Sequence, residues 1–232
     1  MQGTKKNIRT EKKYLIESKQ ALQIEEKLKK FCTPDTHCRN NNCYSVRSLY
    51  FDDIYNSCFY DSREGLPHRE KFRLRIYNLT TENIFLEWKR KEFAISEKNR
   101  FIISKINADK LITGNYSFND IKNEKELLYA IYAKFRNNIF SPKVIVDYER
   151  KAYNLPSYNI RITIDSNIKA SANTNLFYNN QCPTKPVLNN GKSILEIKYS
   201  QIIPDYLCEI INMYDLKRIN YSKYYNCRKA MI

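Results

Sequence analysis

A strict alternation of cationic and apolar residues marks the segment 71–77. Successive side chains of a β-strand point to opposite faces, so a period of two predicts a strand whose two faces differ. One face would carry cations only and the other apolar side chains only: Lys71, Arg73 and Arg75 against Phe72, Leu74 and Ile76. In a single strand, the ordinary explanation of such a charged face is that it lies in water.

The same alternation recurs in segments 85–91, 160–165 and 194–199. Each places Glu, Lys, Arg, Thr or Asp on one face and Leu, Ile or Trp on the other. An ordinary sandwich that buries the apolar faces remains open for any one of these strands. Several charged faces favour instead a closed antiparallel β-barrel tunnel of about eight strands, with a polar interior and flanking helices. A tunnel lined by cations with a few carboxylates suits a polyanion and a divalent metal ion.

Periodicity elsewhere completes the predicted fold. Further strands are predicted at 10–16, 44–52, 95–103 and 143–153, and helices at 17–31, 108–114, 123–138 and 204–216. Neither an internal repeat nor a linker-like stretch interrupts the chain. We therefore predict one α+β domain over residues 1–232.

The composition indicates a polyanionic partner. Forty Lys and Arg against 25 Asp and Glu give a formal net charge of +15. Seven cysteines form no CxxC, and the spacing of Cys32, His37, Cys38 and Cys43 fits no zinc pattern, so free thiols in a reducing cytoplasm are expected. The basic segment 1–13 is no signal peptide, and no apolar run reaches the roughly 20 residues of a membrane span. We predict a cytoplasmic protein.

Nine short motifs occur in an order that resembles a known family. They are EKKY at 11–14, SLYFDD at 48–53, KFRLRIY at 71–77, LEWKRK at 86–91, SEKNRF at 96–101, VDYERKAY at 146–153, RITID at 161–165, LEIKY at 195–199 and SKYYNC at 222–227. Each alone is weakly specific, whereas the ordered set spans nearly the whole chain. The sequence resembles the vacuolar transporter chaperone (VTC) domain. That domain is the polyphosphate-polymerase branch of the triphosphate tunnel metalloenzymes, which also include the CYTH phosphatases.

The resemblance implies a tunnel of antiparallel strands that binds the triphosphate of a nucleotide. It implies catalytic cations at Arg73, Arg75, Lys89, Arg150 and Arg161. It implies phosphate contacts from Lys13, Lys98, Tyr148, Ser222 and Lys223. Glu196 would bind the metal, Mn²⁺ or Mg²⁺. For Glu196, a salt bridge to Lys198 is the structural alternative, and for Glu87 the alternatives are a second tunnel carboxylate or a counter-ion of Lys89.

The activity that the resemblance implies is a metal-dependent ATP–polyphosphate phosphotransferase, a polyphosphate polymerase. It would transfer the γ-phosphate of ATP to a growing inorganic polyphosphate chain. CYTH phosphatases begin with ExExK, but residues 9–13 are RTEKK, and Arg9 in place of the first Glu weighs against that hydrolase. A triphosphatase and a non-catalytic binder of polyphosphate or RNA stay open.

The expected partners are ATP and polyphosphate, without a sequence-specific nucleic acid. The resemblance also allows a membrane-protein partner and a location at the inner face of a membrane. Base preference and oligomeric state are left open.

Overall fold

The computed structural model describes residues 10–35, 43–93, 95–122 and 125–232. The strands are β1 Thr10–Glu17, β2 Thr33–Pro34, β3 Cys43–Asp52, β4 His68–Tyr77, β5 Ile84–Glu92, β6 Ile95–Ile103, β7 Ser141–Leu155, β8 Ile160–Ser171, β9 Lys185–Pro186 and β10 Lys192–Tyr199. The α-helices are α1 Ser18–Leu28, α2 Ser57–Glu64, α3 Lys105–Thr113, α4 Glu126–Asn137, α5 Asp205–Asn212 and α6 Lys223–Lys229. The α+β class is confirmed.

The described residues contain more elements than the roughly eight strands and three or four helices predicted. Helix α2 overlaps segment 55–61, for which the sequence predicts a short turn or helix. The elements that were not predicted are the two-residue strands β2 and β9 and the seven-residue helix α6. Such short segments complete too few periods for a hydrophobic pattern to reveal them. In addition, α5 ends at Asn212, before the predicted residue 216.

The strands follow the hydrogen-bonded order β1-β10-β8-β7-β3-β4-β5-β6, with β2 beside β7 and β9 beside β8. Within the described residues no pairing joins β6 to β1, so the prediction of a closed barrel is not confirmed. Alternation tells which face a side chain takes. Closure depends on the tilt and stagger of the strands, and the period of two contains no information about either.

The chain consists of two compact units. The first comprises Met1–Ser45, Asp147–Lys169 and Pro186–Tyr221, and the second Val46–Val146, Ala170–Lys185 and Ser222–Ile232. The single domain predicted over 1–232 stays a prediction.

In the first unit, the apolar faces of the strands pack against α1 and α5. Ile162 of β8 and Leu195 of β10 share a buried cluster with Leu28 and Leu207 of these helices. Because side chains alternate in the strands, burial of this face leaves the opposite face to Glu196 and its neighbours.

In the second unit, the apolar face of β4 packs against α4. Phe72, Leu74 and Ile76 are fully buried, and the Phe72 ring lies 5.3 Å from that of Phe135 on α4. The predicted outward packing of this apolar face on a helix is thus present within the unit, and Arg73 and Arg75 lie on the other face.

The unpredicted helix α6 is attached to the polar side of the second unit. Ser222 precedes the helix, and its Oγ accepts a hydrogen bond from the backbone N–H of Tyr225. The Tyr224 hydroxyl donates to the buried carboxylate of Asp52, and its ring stacks on Tyr50 at 5.0 Å. Asp52 also accepts from the first backbone N–H groups of α2, so one carboxylate holds both helices.

No α-helix in the described ranges is both long and apolar enough to cross a membrane. The cysteines that the structure describes are free thiols. His37 and Cys38 of the rejected zinc pattern lie outside the described residues, as does Arg9.

Candidate phosphate-binding and metal-binding sites

The register of β3 to β6 aligns polar side chains in rows across one face of the second unit. Tyr50, Arg73, Glu87 and Arg100 pair in sequence across the four strands. Lys71, Lys89 and Lys98 form a second row across β4, β5 and β6. We call these three residues the lysine row.

Glu87 is the centre of the first row. Its Oε2 lies 2.6 Å from Arg73 Nη2 and its Oε1 2.6 Å from Lys98 Nζ. Arg100 Nε and Arg75 Nη1 follow at 3.4 and 3.6 Å. We call Glu87 and these four cations the Glu87 cluster. Its carboxylate is 1% exposed, so the four cations surround one buried negative charge.

Hydroxyl groups of β3 orient the two arginines of β4. Arg73 donates to the Tyr50 hydroxyl at 2.6 Å, and Arg75 donates to Ser48 Oγ at 3.0 Å. Both arginines are therefore held on two sides, by a hydroxyl and by Glu87. Guanidinium groups fixed in this way bind phosphate oxygens without much further loss of side-chain freedom.

The charges of the cluster shift the pKa values of its members. Burial acts to raise the pKa of Glu87, but Arg73, Arg75 and Lys98 outweigh it and hold the pKa well below its usual range. Burial lowers the pKa of Lys98 to about 7, opposed by Glu87 and assisted by the two arginines. The cluster therefore keeps its one anion charged and contains more positive charge than Glu87 can neutralise.

The lysine row shares Lys98 with the cluster and adds the positive charges of Lys71 and Lys89 beside it. Like charges directly opposite one another on adjacent strands are destabilising, and here three lysines share one row. Lys71 Nζ donates to Ser222 Oγ at 2.9 Å, which brings the predicted phosphate contact Ser222 to the row. Lys223, the next residue, begins α6 and is half-buried.

In the first unit, two carboxylates and two lysines form a cluster on β1 and β10. Lys13 on β1 pairs in register with Glu196 on β10, and its Nζ lies 2.8 Å from Glu11 Oε1. Lys198 Nζ lies 2.6 Å from Glu196 Oε1, so the alternative predicted for Glu196, a salt bridge to Lys198, is present. Burial acts to lower the pKa of Lys13, but Glu196 and Glu11 outweigh it and raise the pKa. We call these four residues the Glu196 cluster.

The remaining predicted residues of this unit are engaged by carboxylates. Arg150 forms a two-pronged ion pair with the buried Asp165, at 2.6 and 2.7 Å, and lies over the Tyr148 ring. Burial acts to lower the pKa of Arg150, but Asp165 raises it well above its usual value.

Arg161 is also held by a carboxylate. It forms an ion pair with Asp35, and it donates to Asn154 at 3.1 Å and to Tyr44 at 3.3 Å. Arg150 and Arg161 thus each pair with a carboxylate of their own, whereas Glu87 is a counter-ion common to the four cations of its cluster.

The implied metal ion fits the Glu196 cluster as a site completed by substrate. In the described part of the chain, no group of three or more His, Cys, Asp and Glu could hold a metal. Mg²⁺, however, is usually bound by one or two carboxylates together with substrate phosphates. Glu196 and Glu11 are two such oxygen donors around Lys13. The donor set suits a hard divalent ion that phosphate oxygens help to hold.

Sequence reasoning missed several residues of the site. Arg100 lies 3.4 Å from Glu87, and its position two residues after Lys98 in a predicted strand already indicated that the two cations share a face. Glu87 proves to be the shared counter-ion of Arg73, Arg75, Lys98 and Arg100, a role that only the register between β4, β5 and β6 reveals. Thr163 pairs in register with Glu196, is 2% exposed, and its hydroxyl has no hydrogen-bond partner among the described residues.

Solved structures of low sequence identity share this fold. A Hippeastrum protein, described as a candidate adenylyl cyclase with a dominant triphosphatase activity, superposes with a TM-score of 0.55 at 11% identity, over 96% of this chain and 97% of that one. A candidate adenylate cyclase from Bacillus halodurans gives 0.53 at 12% identity, over 91% and 92%. One from Vibrio parahaemolyticus gives 0.51 at 10% identity, over 94% and 96%.

A search of curated protein sequences returns no match. The family model of the VTC domain, in contrast, matches residues 8–232, which is nearly the whole chain. This agrees with the ordered motifs and with the fold, and the chain therefore belongs to the VTC domain family.

Proposed function

We propose that this protein is a metal-dependent polyphosphate polymerase. It would transfer the γ-phosphate of ATP to the end of an inorganic polyphosphate chain, with Mn²⁺ or Mg²⁺ as its metal. The observation that carries this proposal is the Glu87 cluster, in which four cations surround one buried carboxylate beside a row of lysines. Such an excess of fixed positive charge is complementary to a chain of phosphates.

The residues of the second unit suit the demands of phosphoryl transfer. Catalysis of this reaction is mainly positioning and neutralisation of the charge on the transferred phosphoryl group. Arg73 and Arg75 would bind phosphate oxygens through their oriented guanidinium groups, since Tyr50 and Ser48 already fix their direction. The lysine row would bind further phosphates as point charges, with Ser222 as a hydroxyl ligand.

In the first unit, Glu196 would hold the metal ion, assisted by Glu11. A bound divalent ion supplies Lewis-acid neutralisation of phosphate oxygens. Lys13 would hold these carboxylates in place, because its Nζ is ion-paired with Glu11 and it pairs in register with Glu196. Arg150, Arg161 and Tyr148 would also contact phosphate oxygens within the first unit, although Asp165 and Asp35 compete for the two arginines.

Incubation of the purified protein with ATP and Mn²⁺ tests the proposal. ADP, free phosphate and gel-resolved polyphosphate are followed together, with Glu196→Ala and Arg75→Ala as the inactivating variants. ADP that accumulates with long phosphate chains, and is lost in both folded variants, would support the polymerase. Full turnover in Arg75→Ala would refute the assigned phosphate site.

A triphosphatase is the second candidate. The Hippeastrum protein with the same fold is described as having a dominant triphosphatase activity. In that reaction, water takes the place of the phosphate-chain acceptor. ADP released with an equal amount of free phosphate, and without chains, would favour it. Polyphosphate binding without any turnover would leave a binding protein with this fold.

A further inference from the structure

An aromatic and guanidinium stack lies at one end of the Glu87 cluster. The central carbon of the Arg100 guanidinium lies 3.5 Å from the centre of the Phe85 ring and 5.4 Å from that of Tyr77. The two rings meet edge to face, with their centres 5.8 Å apart. Arg100 also donates to the Tyr77 hydroxyl at 3.1 Å and lies 3.4 Å from Glu87. These contacts fix the plane of the guanidinium.

This stack is open to a ligand. The side chain of Arg100 is 35% exposed, and Ile102, two residues farther along the same face of β6, is 65% exposed. The 3.5 Å separation of Arg100 from the Phe85 ring centre is a stacking distance, and the exposed part of the guanidinium group can receive a further planar group. Arginine planes and aromatic rings are the groups on which proteins stack unpaired bases.

The register places the stack beside the proposed phosphate contacts. Phe85 pairs with Arg75, and Arg100 pairs with Glu87. The Cβ atoms of directly opposed residues lie about 4.5–5.5 Å apart. A base joined through its ribose to phosphates on Arg75 would therefore reach Phe85 and Arg100.

We propose that Arg100, Phe85 and Tyr77 form a stacking platform for the base of a nucleoside triphosphate. This inference rests on the proposed function, because it places the phosphates of the same nucleotide on the Glu87 cluster. Stacking accepts any base, since every base has a π-face. The platform would thus distinguish nucleoside triphosphates from inorganic tripolyphosphate and would discriminate only weakly among bases.

Calorimetric titration with ATP and with tripolyphosphate tests this inference. Phe85→Leu retains an apolar side chain and removes the flat ring. Arg100→Lys retains the charge and removes the flat guanidinium. Arg90→Lys is the matched control, because Arg90 lies over Trp88 at 5.5 Å on the opposite face of β5. For each variant, the fold loss of affinity for ATP is divided by the fold loss of affinity for tripolyphosphate.

We expect this ratio to be about tenfold for Phe85→Leu and for Arg100→Lys, the equivalent of one base-stacking contact. For Arg90→Lys it should stay near unity. Equal losses for both ligands in the two platform variants, or no loss, would overturn the platform while leaving the phosphate site in place. A wild-type protein that binds neither ligand would overturn the proposed function and, with it, the platform.

Discussion

The shared counter-ion at the centre of the Glu87 cluster gives the sharpest test of the electrostatics. Replacement of Glu87 by Gln retains the shape of the side chain and removes the one negative charge among four cations. Breaking a buried ion pair by removing one partner costs about 3–5 kcal/mol. We expect the free energy of unfolding to fall by about 3 kcal/mol, at the lower end of this range, because Lys98 and Arg100 are 41% and 35% exposed and can turn toward water.

The expected loss is readily measured by thermal unfolding. In a chain of this size, about 3 kcal/mol lowers Tm by about 6–12 °C. Thermal unfolding should be measured at neutral pH. The pKa of Glu87 is lowered on folding from an ordinary value of 4.5, so its stabilisation is complete above that value and is lost as the pH falls below it. Glu97→Gln is the control, because Glu97 is 46% exposed and pairs with Arg90 at the surface.

Tripolyphosphate should reverse most of this loss. A ligand that binds only the folded state raises its stability, and a cluster without its carboxylate has more unneutralised charge to offer. The ligand should therefore raise the Tm of Glu87→Gln more than that of the wild type. An unchanged Tm without ligand, or the same rise in both proteins, would refute the assignment of Glu87 as shared counter-ion.

Three further predictions concern single residues. Because the pKa of Lys98 is lowered to about 7, the affinity for tripolyphosphate should fall as the pH rises through that value and the amine loses its charge; titrations of Lys98→Arg should show no such fall. Glu196→Gln should abolish the response of turnover to added Mn²⁺, whereas the exposed Glu26→Gln should leave it intact. Thr163→Val removes a buried hydroxyl that has no hydrogen-bond partner in the described residues, so the free energy of unfolding measured in urea should rise by about 1 kcal/mol. A fall of that size would show that the hydroxyl does have a partner.

The faces of the strands were predictable from the sequence, and the contacts between strands were not. Alternation predicted Arg73 and Arg75 on one face of β4 and Phe72 and Leu74 on the other, and the structure confirms this arrangement. The pairing of Glu87 with Arg73 on one side and Arg100 on the other depends on register. Register is fixed by turns and by packing between strands that are distant in the chain, so no local pattern contains it.

The polar residues of the first unit show a second limit of sequence reasoning. Arg150 and Arg161 were predicted as phosphate ligands, but Asp165 and Asp35 also bind them. A motif identifies cations on a polar face without identifying which carboxylates neutralise them. The helix α6 was missed for a different reason: its seven residues, held by Asp52 through Tyr224, owe their position to tertiary contacts.

The position of β6 at the end of the strand order has a consequence for solubility. Within the described residues, β5 is the only strand that pairs with β6, so β6 is an edge strand of that part of the sheet. Charged side chains are one means by which proteins prevent such edges from joining, and β6 carries Lys98 and Arg100 among isoleucines and a phenylalanine. Lys98 and Arg100 would thus also hinder the pairing of this edge with another chain. A double substitution that neutralises them would expose an aggregation-prone edge, and its loss of activity could be attributed to the phosphate site only after the variant is shown to remain dispersed.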